Sequence, residues 1–388
     1  MQRVCQLVPL LPPYRDAIGI GALKVHNLLL AKGIDSSVIT SSNQEASPGV
    51  HTVVPRWRID KFSFIRRRLQ DLRLRTVVFH FPSIGYGRAL SLTLLPLFLR
   101  CYGIRTTLYL HEFTAYTNLG RLRMFLLGLA CDRIITADTP ILHALRRLYP
   151  LKWRTGRLFL LPNGSHIPPS SHRPSAQSDD EPSSSPNRQK KILYFGYVRQ
   201  GKGIEIMLEC LTRNVDLRQA FEFHVAGSSP HSPTVADAEL LERIKKAEWM
   251  VFHGHLDDPA LAKLFDEVDG VLLPYDDGLT ERRGSFMAAV AFGKAVITTA
   301  PLMPIDGLQH MTNVIYMDSS SAEALAEVLH YVAAMDKNTL ETIGARARAW
   351  YQVNHSDTVY VHRFLQVLEP RNSASPMLPG APDRKEAI

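Results

Sequence analysis

Lys191-Ile192-Leu193-Tyr194-Phe195-Gly196-Tyr197-Val198-Arg199-Gln200-Gly201-Lys202-Gly203, running on into Ile204-Glu205-Ile206-Met207-Leu208-Glu209-Cys210-Leu211, carries the clearest signal of fold class in the chain. It opens with a short apolar run bounded by glycine, the pattern of a strand buried on both faces. Glycines 196, 201 and 203 break the chain, and helical spacing of apolar residues follows from 204 to 211. Strand, glycine loop and helix in that order belong to an open α/β sheet. There, ligands bind beyond the carboxyl ends of strands, and helix N-termini present free N–H groups to anions. Arg199 and Lys202 stand at such a helix start, where the dipole already favours anions and a cation gains nothing structurally. A phosphate ligand explains them better than a solvated surface turn.

The same alternation extends both ways. Downstream, strands are predicted at Phe221 to Ala226, Met250 to Phe252, Gly270 to Pro274 and Ala295 to Thr299, with helices at Ala260 to Val268 and Ser285 to Phe292. Upstream, Val4 to Leu10 reads as a strand, Ile18-Gly19-Ile20-Gly21 as a glycine loop and Ala22 to Ala31 as a helix stopped by Gly33. Strands follow at Ser37 to Thr40, Thr76 to Phe81, Thr106 to Leu110 and Arg133 to Ala137. Between the two series, residues 169–190 are rich in Ser, Pro and charge with almost nothing to bury, as in a linker. The expected organisation is an α/β chain of two Rossmann-like domains: 1–168, then the linker 169–190, then 191–355. A last helix follows over 356–370, and a tail of 371–388 reads as disordered.

Composition bounds the function. With 388 residues and 45% hydrophobic content, the chain can bury two cores and is not intrinsically disordered. Cys5, Cys101, Cys131 and Cys210 are far apart, which argues against a disulfide scaffold or a cysteine zinc site. The net charge of +8 is unevenly spread. Residues 1–160 hold 23 Lys+Arg against 8 Asp+Glu, a net +15, and residues 161–388 carry the balancing −7. A basic half meets an anion: nucleic acid, anionic lipid or a phosphorylated substrate. The best apolar stretch, Ala89 to Leu99, is about half the ~20 residues of a membrane span. No secretory signal is evident in the first residues, so the expected location is cytoplasmic, free or peripheral on the inner membrane face.

Two further loops could hold ligand. Gly19 and Gly21 allow close backbone approach, although such a pair serves helix–strand packing equally well. Pro274-Tyr275-Asp276-Asp277-Gly278-Leu279-Thr280-Glu281-Arg282-Arg283-Gly284-Ser285 opens the helix that follows, with Ser285 the expected N-cap. Glu281 beside Arg282 and Arg283 suits a ligand bearing both hydroxyls and phosphates, since Arg grips a diphosphate bidentately. His253-Gly254-His255 lacks a third ligand and reads as a strand-end turn, not a metal site. No D-x-D triplet occurs in the chain.

In order, Gly196 to Gly203 (G-x5-K-G), His224 to Gly227 (H-V-A-G), Phe252 to Gly254, Val268 to Pro274 (V-D-G-V-L-L-P) and Ala289 to Thr299 resemble the donor half of the GT-B glycosyltransferases. The likeness is greatest to the retaining family 4. Leu11 to Gly33, Leu108 to Glu112 and Leu161-Pro162-Asn163-Gly164 are similar to that family's acceptor half, so the resemblance covers about residues 1–365. It implies two Rossmann-like domains facing each other across a cleft. It also implies a nucleotide sugar gripped by Gly196, Arg199, Lys202, Gly227 and the Glu281–Ser285 loop, with His111 at the reaction centre and Glu112 near the acceptor. Gly19 and Gly21 would lie on the acceptor side. No metal or other cofactor is expected, because placed cations and helix N-termini offset the leaving diphosphate. Two features depart from the family: its E-x7-E glutamates fall at Thr280 and Ala288, and the arginine after the first loop glycine is Tyr197.

The expected activity is therefore transfer of a sugar to a lipid-linked glycan or polysaccharide precursor, with the anomeric configuration retained. A nucleotide-sugar 2-epimerase and a catalytically silent partner subunit share the fold and remain alternatives. In the basic half, Arg56, Trp57, Arg58, Arg66, Arg67 and Arg68 interleave cations with large apolar groups, which suits an anionic membrane surface as well as a solvated helix face. Nucleic acid fits the charge, but no motif supports it.

Overall fold

The computed structural model describes residues 3–12, 14, 16–41, 48–52, 57–87, 90–113, 118–167, 189–230 and 233–369. The predicted tail, residues 169–188 of the predicted linker and Arg56 lie outside the described residues. The chain divides into two compact units, Met1–Pro162 with Asp357–Ile388, and Asn163–Ser356.

The first unit carries β1 (Arg3–Leu7), α1 (Ala17–Ala31), β2 (Asp35–Thr40), β3 (Val50–Thr52), α2 (Phe62–Asp71), β4 (Thr76–Phe81), α3 (Leu95–Arg100), β5 (Arg105–Leu110), α4 (Asn118–Ala130), β6 (Arg133–Thr136), α5 (Thr139–Leu148), α6 (Pro150–Arg154) and β7 (Leu158–Leu160). Its seven strands form one parallel sheet in the order β3-β2-β1-β4-β5-β6-β7. The order reverses beside β1, and in such sheets the crevice at the reversal is where ligands lie. One face buries Ile65 and Leu69 of α2, Leu95 and Leu99 of α3 and Leu127 of α4 against Leu7, Phe79 and Leu108.

The second unit carries β8 (Lys190–Phe195), α7 (Ile204–Arg213), α8 (Val215–Ala220), β9 (Phe221–Ala226), α9 (Val235–Lys246), β10 (Met250–Gly254), α10 (Asp258–Glu267), β11 (Gly270–Leu273), α11 (Gly284–Ala291), β12 (Ala295–Thr299), β13 (Ile315–Met317), α12 (Ala322–Ala334) and α13 (Lys337–Asn354). Its six parallel strands run β10-β9-β8-β11-β12-β13, reversing beside β8, the strand that feeds the glycine loop. The last helix, α14 (Asp357–Leu368), belongs to the first unit. There Phe364 and Val361 pack with Tyr109 and Leu29, and Lys24 Nζ meets Asp357 at 2.6 Å.

Three local expectations are corrected. Helix α1 begins at Ala17, not Ala22, because Asp16 caps it by accepting the Ile18 N–H at 3.2 Å. Gly19 and Gly21 therefore sit inside a helix and not in a loop before it. Ser285 is not an N-cap: α11 starts one residue earlier, and its cap position is Arg283. Trp57 is a core residue, 2% exposed, set edge-on to Tyr86 at 5.1 Å. It cannot form part of a membrane-facing patch.

Candidate functional site

The loop between β8 and α7 is held by its own neighbours. Tyr194, buried beneath it, donates its hydroxyl to the Tyr197 and Lys202 carbonyls at 3.1 and 3.4 Å. The Gln200 N–H donates to Asp237 at 2.9 Å and the Gly201 N–H to Glu205 at 2.8 Å. Asp237 in turn closes a capping box with Thr234 at the start of α9. Gly203 is the cap residue of α7 at φ +77°, with its Cα pressed against the Pro274 carbonyl at the end of β11. That approach brings the 196–203 loop beside the 274–285 loop.

Gly227, expected to contact ligand, has a packing role in the structure. A Cβ there would be driven into the Gly196 carbonyl oxygen, so the pair lets the ends of β8 and β9 close together. Gly19 is likewise pressed against the Leu10 carbonyl, a packing contact of α1 with the chain's own backbone.

Arg283 is buried, lies 4.4 Å over the Tyr275 ring and is paired with Asp277. Its Nε has no hydrogen-bond partner among the described residues. Arg282 stands 3.7 Å from the same carboxylate. Tyr275 and Ser285 share a hydroxyl–hydroxyl bond of 2.6 Å, which fixes the start of α11. Glu281 is buried next to these residues in the chain. Two side chains not expected here reach the loop from 163–167: Asn163 donates to the Arg282 carbonyl at 3.4 Å, and the His166 ring borders Gly284. Their only sequence signal was the L-P-N-G turn, which was assigned to the other domain.

Electrostatics single out Lys202. Burial, reinforced by Arg283, Arg199 and Arg282, lowers its pKa to about 8. Arg283, Arg199 and Arg282 thus crowd the buried Lys202, and a bound diphosphate would relieve that repulsion. The sign of the pH effect follows. Lys202 is charged below about pH 8 and neutral above it, so anion affinity should fall as pH rises from 7 to 9.5. The lost contact is worth severalfold to tens of fold. Calorimetric Kd values for a nucleoside diphosphate across that range check this, and a flat profile refutes it.

The second group of candidates lies in the first unit, at the carboxyl ends of β4 and β5. The His111 backbone N–H donates to the Phe81 carbonyl at 2.9 Å. Its ring stacks on Tyr109 at 4.3 Å, and Nε2 lies 3.0 Å from Nδ1 of the buried His80. Tyr109 donates to the Leu161 carbonyl and accepts from Tyr360 of α14 at 3.3 Å, so the final helix buttresses the ring beneath His111. Glu112 is exposed beside it. His111 and Glu112 therefore share one unit, and the donor candidates occupy the other.

His253 is engaged with His224 at 2.9 Å. Among the described residues no cluster of three or more His, Cys, Asp or Glu side chains is placed to hold a metal ion.

Residues 189–334 match the family Glycosyl transferases group 1. No curated protein matches the chain significantly. Among solved structures, HepE (Alr3699) of Anabaena, in complex with UDP and glucose, aligns with a TM-score of 0.73 at 13% identity, covering 95% of this chain and 99% of its own. Sucrose-phosphate synthase of Thermosynechococcus elongatus gives 0.68 at 16% identity, with coverages of 95% and 98%. A glycosyltransferase from Rickettsia africae gives 0.69 at 14%, with coverages of 95% and 97%. At such identities the likeness is one of fold, and the fold is GT-B. The matched residues lie in the second unit and include the 196–203 loop, and the match together with the fold supports a glycosyltransferase enzyme.

Proposed function

We propose that this glycosyltransferase moves a sugar from a nucleoside-diphosphate sugar to a hydroxyl of a glycan or lipid-linked acceptor. UDP-sugars are the first donors to try, because HepE was solved with UDP and glucose. One observation carries the reading: Lys202, Arg199, Arg282 and Arg283 gather at the strand ends of the group 1 domain. In the reaction the bond from the sugar's anomeric carbon to the diphosphate oxygen breaks, and its electron pair leaves with the nucleoside diphosphate. The acceptor oxygen bonds to that carbon and releases its proton. The four cations stabilise the departing diphosphate, a task that elsewhere falls to a metal ion, so the transfer is proposed to be metal-independent. His111 and Glu112 contact the sugar and the acceptor. Retention of configuration rests on the family 4 resemblance.

The acceptor side is proposed to meet an anionic membrane through part of the patch read from the sequence, without the buried Trp57. Phe64 of α2, Leu97 of α3 and Leu129 of α4 are 50%, 44% and 51% exposed. Arg58 and Arg67 lie on the same stretch, while Asp60, Asp71 and Glu112 are the only acids between residues 57 and 130; Arg100 is paired with Asp132 at 2.7 Å. Arg66 is held over Tyr102 at 4.5 Å, and Arg68 donates to His51 at 2.9 Å, which makes both weaker candidates for lipid. Each free cation near an anionic surface adds about 1 kcal/mol. Among the described residues no helix is long and apolar enough to cross a membrane.

The test is nucleoside diphosphate release by the purified chain from a panel of nucleotide sugars, in EDTA, with and without membrane extract. Release that depends on extract is expected, and product analysis gives the anomer. Conversion of the sugar without acceptor would instead make the protein an epimerase, and no donor binding would make it a silent partner. In flotation, the chain should rise with phosphatidylglycerol vesicles but not with phosphatidylcholine, and Arg67→Glu should weaken this severalfold. Equal flotation with both lipids contradicts the membrane surface.

A further inference from the structure

The hydrogen bonds behind His111 admit one consistent placement of protons. Gln6 Nε2 donates to the Ala22 carbonyl at 2.9 Å. A flipped amide would set two oxygens against each other, so Gln6 Oε1 is the atom that faces His80 Nε2 at 3.0 Å. An amide oxygen only accepts, and His80 must therefore carry a proton on Nε2. His80 is wholly buried, which pushes its pKa down to about 3. At neutral pH the ring is uncharged and its Nδ1 holds a lone pair. His111 Nε2 lies 3.0 Å from that lone pair and has to be the donor.

We infer that Gln6 and His80 are positioning residues that fix His111 as its Nε2–H tautomer. With the Nε2 proton directed at His80, a hydrogen bond that His111 makes to a sugar hydroxyl through Nδ1 is one that it accepts. The tautomer follows from the hydrogen bonds and from the burial that keeps His80 uncharged, whereas the contact with sugar rests on the transfer reaction proposed above. The opposite tautomer would set two lone pairs against each other at the His80–His111 contact. Leaving that contact unmade should hold the wrong form below about a tenth of the molecules. The three residues come from β1, β4 and the end of β5, adjacent strands of the first sheet, so this proton order is built into the sheet itself.

The test is a two-bond nitrogen–proton imidazole correlation spectrum of the uniformly 15N-labelled full chain at neutral pH. The His111 signals are identified by their loss in His111→Asn. The Nε2–H pattern is expected without any ligand, and an Nδ1–H or evenly averaged pattern overturns the assignment. Gln6→Leu removes the acceptor that orients His80 and should shift the His111 pattern toward averaging. It should also lower kcat for donor turnover about tenfold with little change in the donor KM. An unchanged His111 pattern in a folded Gln6→Leu chain overturns the relay. If the pattern averages but kcat stays at the wild-type value, the contact of His111 with sugar is overturned and the relay stands. Should Gln6→Leu fail to fold, the wild-type spectrum alone decides the tautomer.

Discussion

Lys202→Met is expected to stabilise the protein and to cripple donor binding at once. A residue that only supported the fold could not move the two in opposite directions. In the folded chain the lysine pKa is lowered to about 8 by burial and by Arg283, Arg199 and Arg282, against about 10.4 in an unfolded chain. Below pH 8 the folded state therefore bears a penalty for keeping the ammonium charged, on the order of 1–3 kcal/mol. The penalty fades as pH rises from about 8 to the unfolded value, so the wild type should gain stability over that window. The methionine variant should lack that gain and melt higher at pH 7. In the proposed donor site the same charge meets the diphosphate, however. Losing one charged contact costs about 1.5–3 kcal/mol, so the donor Kd should rise roughly 10- to 150-fold. Denaturant melts at pH 7 and 9.5, paired with a binding isotherm, check both halves. A variant that is less stable and binds normally would contradict the assignment.

Gly203→Ala should be far more damaging than Gly201→Ala, although the two glycines sit two residues apart at nearly the same φ, +77° and +76°. Both substitutions force a Cβ into the left-handed region, at about 1–2 kcal/mol. At Gly201 the new methyl has room, with its nearest neighbour the Asp276 carboxylate at 4.0 Å. At Gly203 it would be driven into the Pro274 carbonyl, adding the cost of displacing backbone, typically 1–3 kcal/mol. The expected losses are about 1–2 kcal/mol for Gly201→Ala and about 2–5 kcal/mol for Gly203→Ala. Donor binding should be lost in the second even where the chain still folds, because the 196–203 and 274–285 loops would be pushed apart. Equal effects on stability and binding at the two positions would refute the close approach.

What could be read from the sequence depended on how local its cause was. The β8–loop–α7 unit was legible because an apolar run, three glycines and a helical pattern are adjacent in the chain, and the structure moves its strand by a single residue, to Lys190. The three-residue strands β3, β7 and β13 were missed; they are held by pairing with longer neighbours and are too short to show a period. The start of α1 was misplaced because glycines suggest a loop, whereas Asp16 had already capped the helix. Trp57 was misread because alternating arginines and aromatics look alike whether the aromatic meets lipid or a protein core. Its burial is decided by Tyr86, 29 residues away.

For the sites, the residue types around the phosphate loop were visible, but their supports were not. Asp237 holds the Gln200 N–H from 37 residues away, and Asn163 reaches Arg282 across 119. The Gln6–His80–His111 chain joins three strands whose order no local pattern reveals. Sequence gives the chemistry of a side chain. Its protonation and partners come from the sheet order that assembles them.

The most direct test of the donor site is calorimetric titration of UDP into the full chain at pH 7 in EDTA, with Lys202→Met run alongside. One saturable site per chain, weakened at least tenfold in the variant, is the predicted result. No binding to the wild type, or equal affinity in both proteins, would contradict a diphosphate held by Lys202 and its neighbouring arginines.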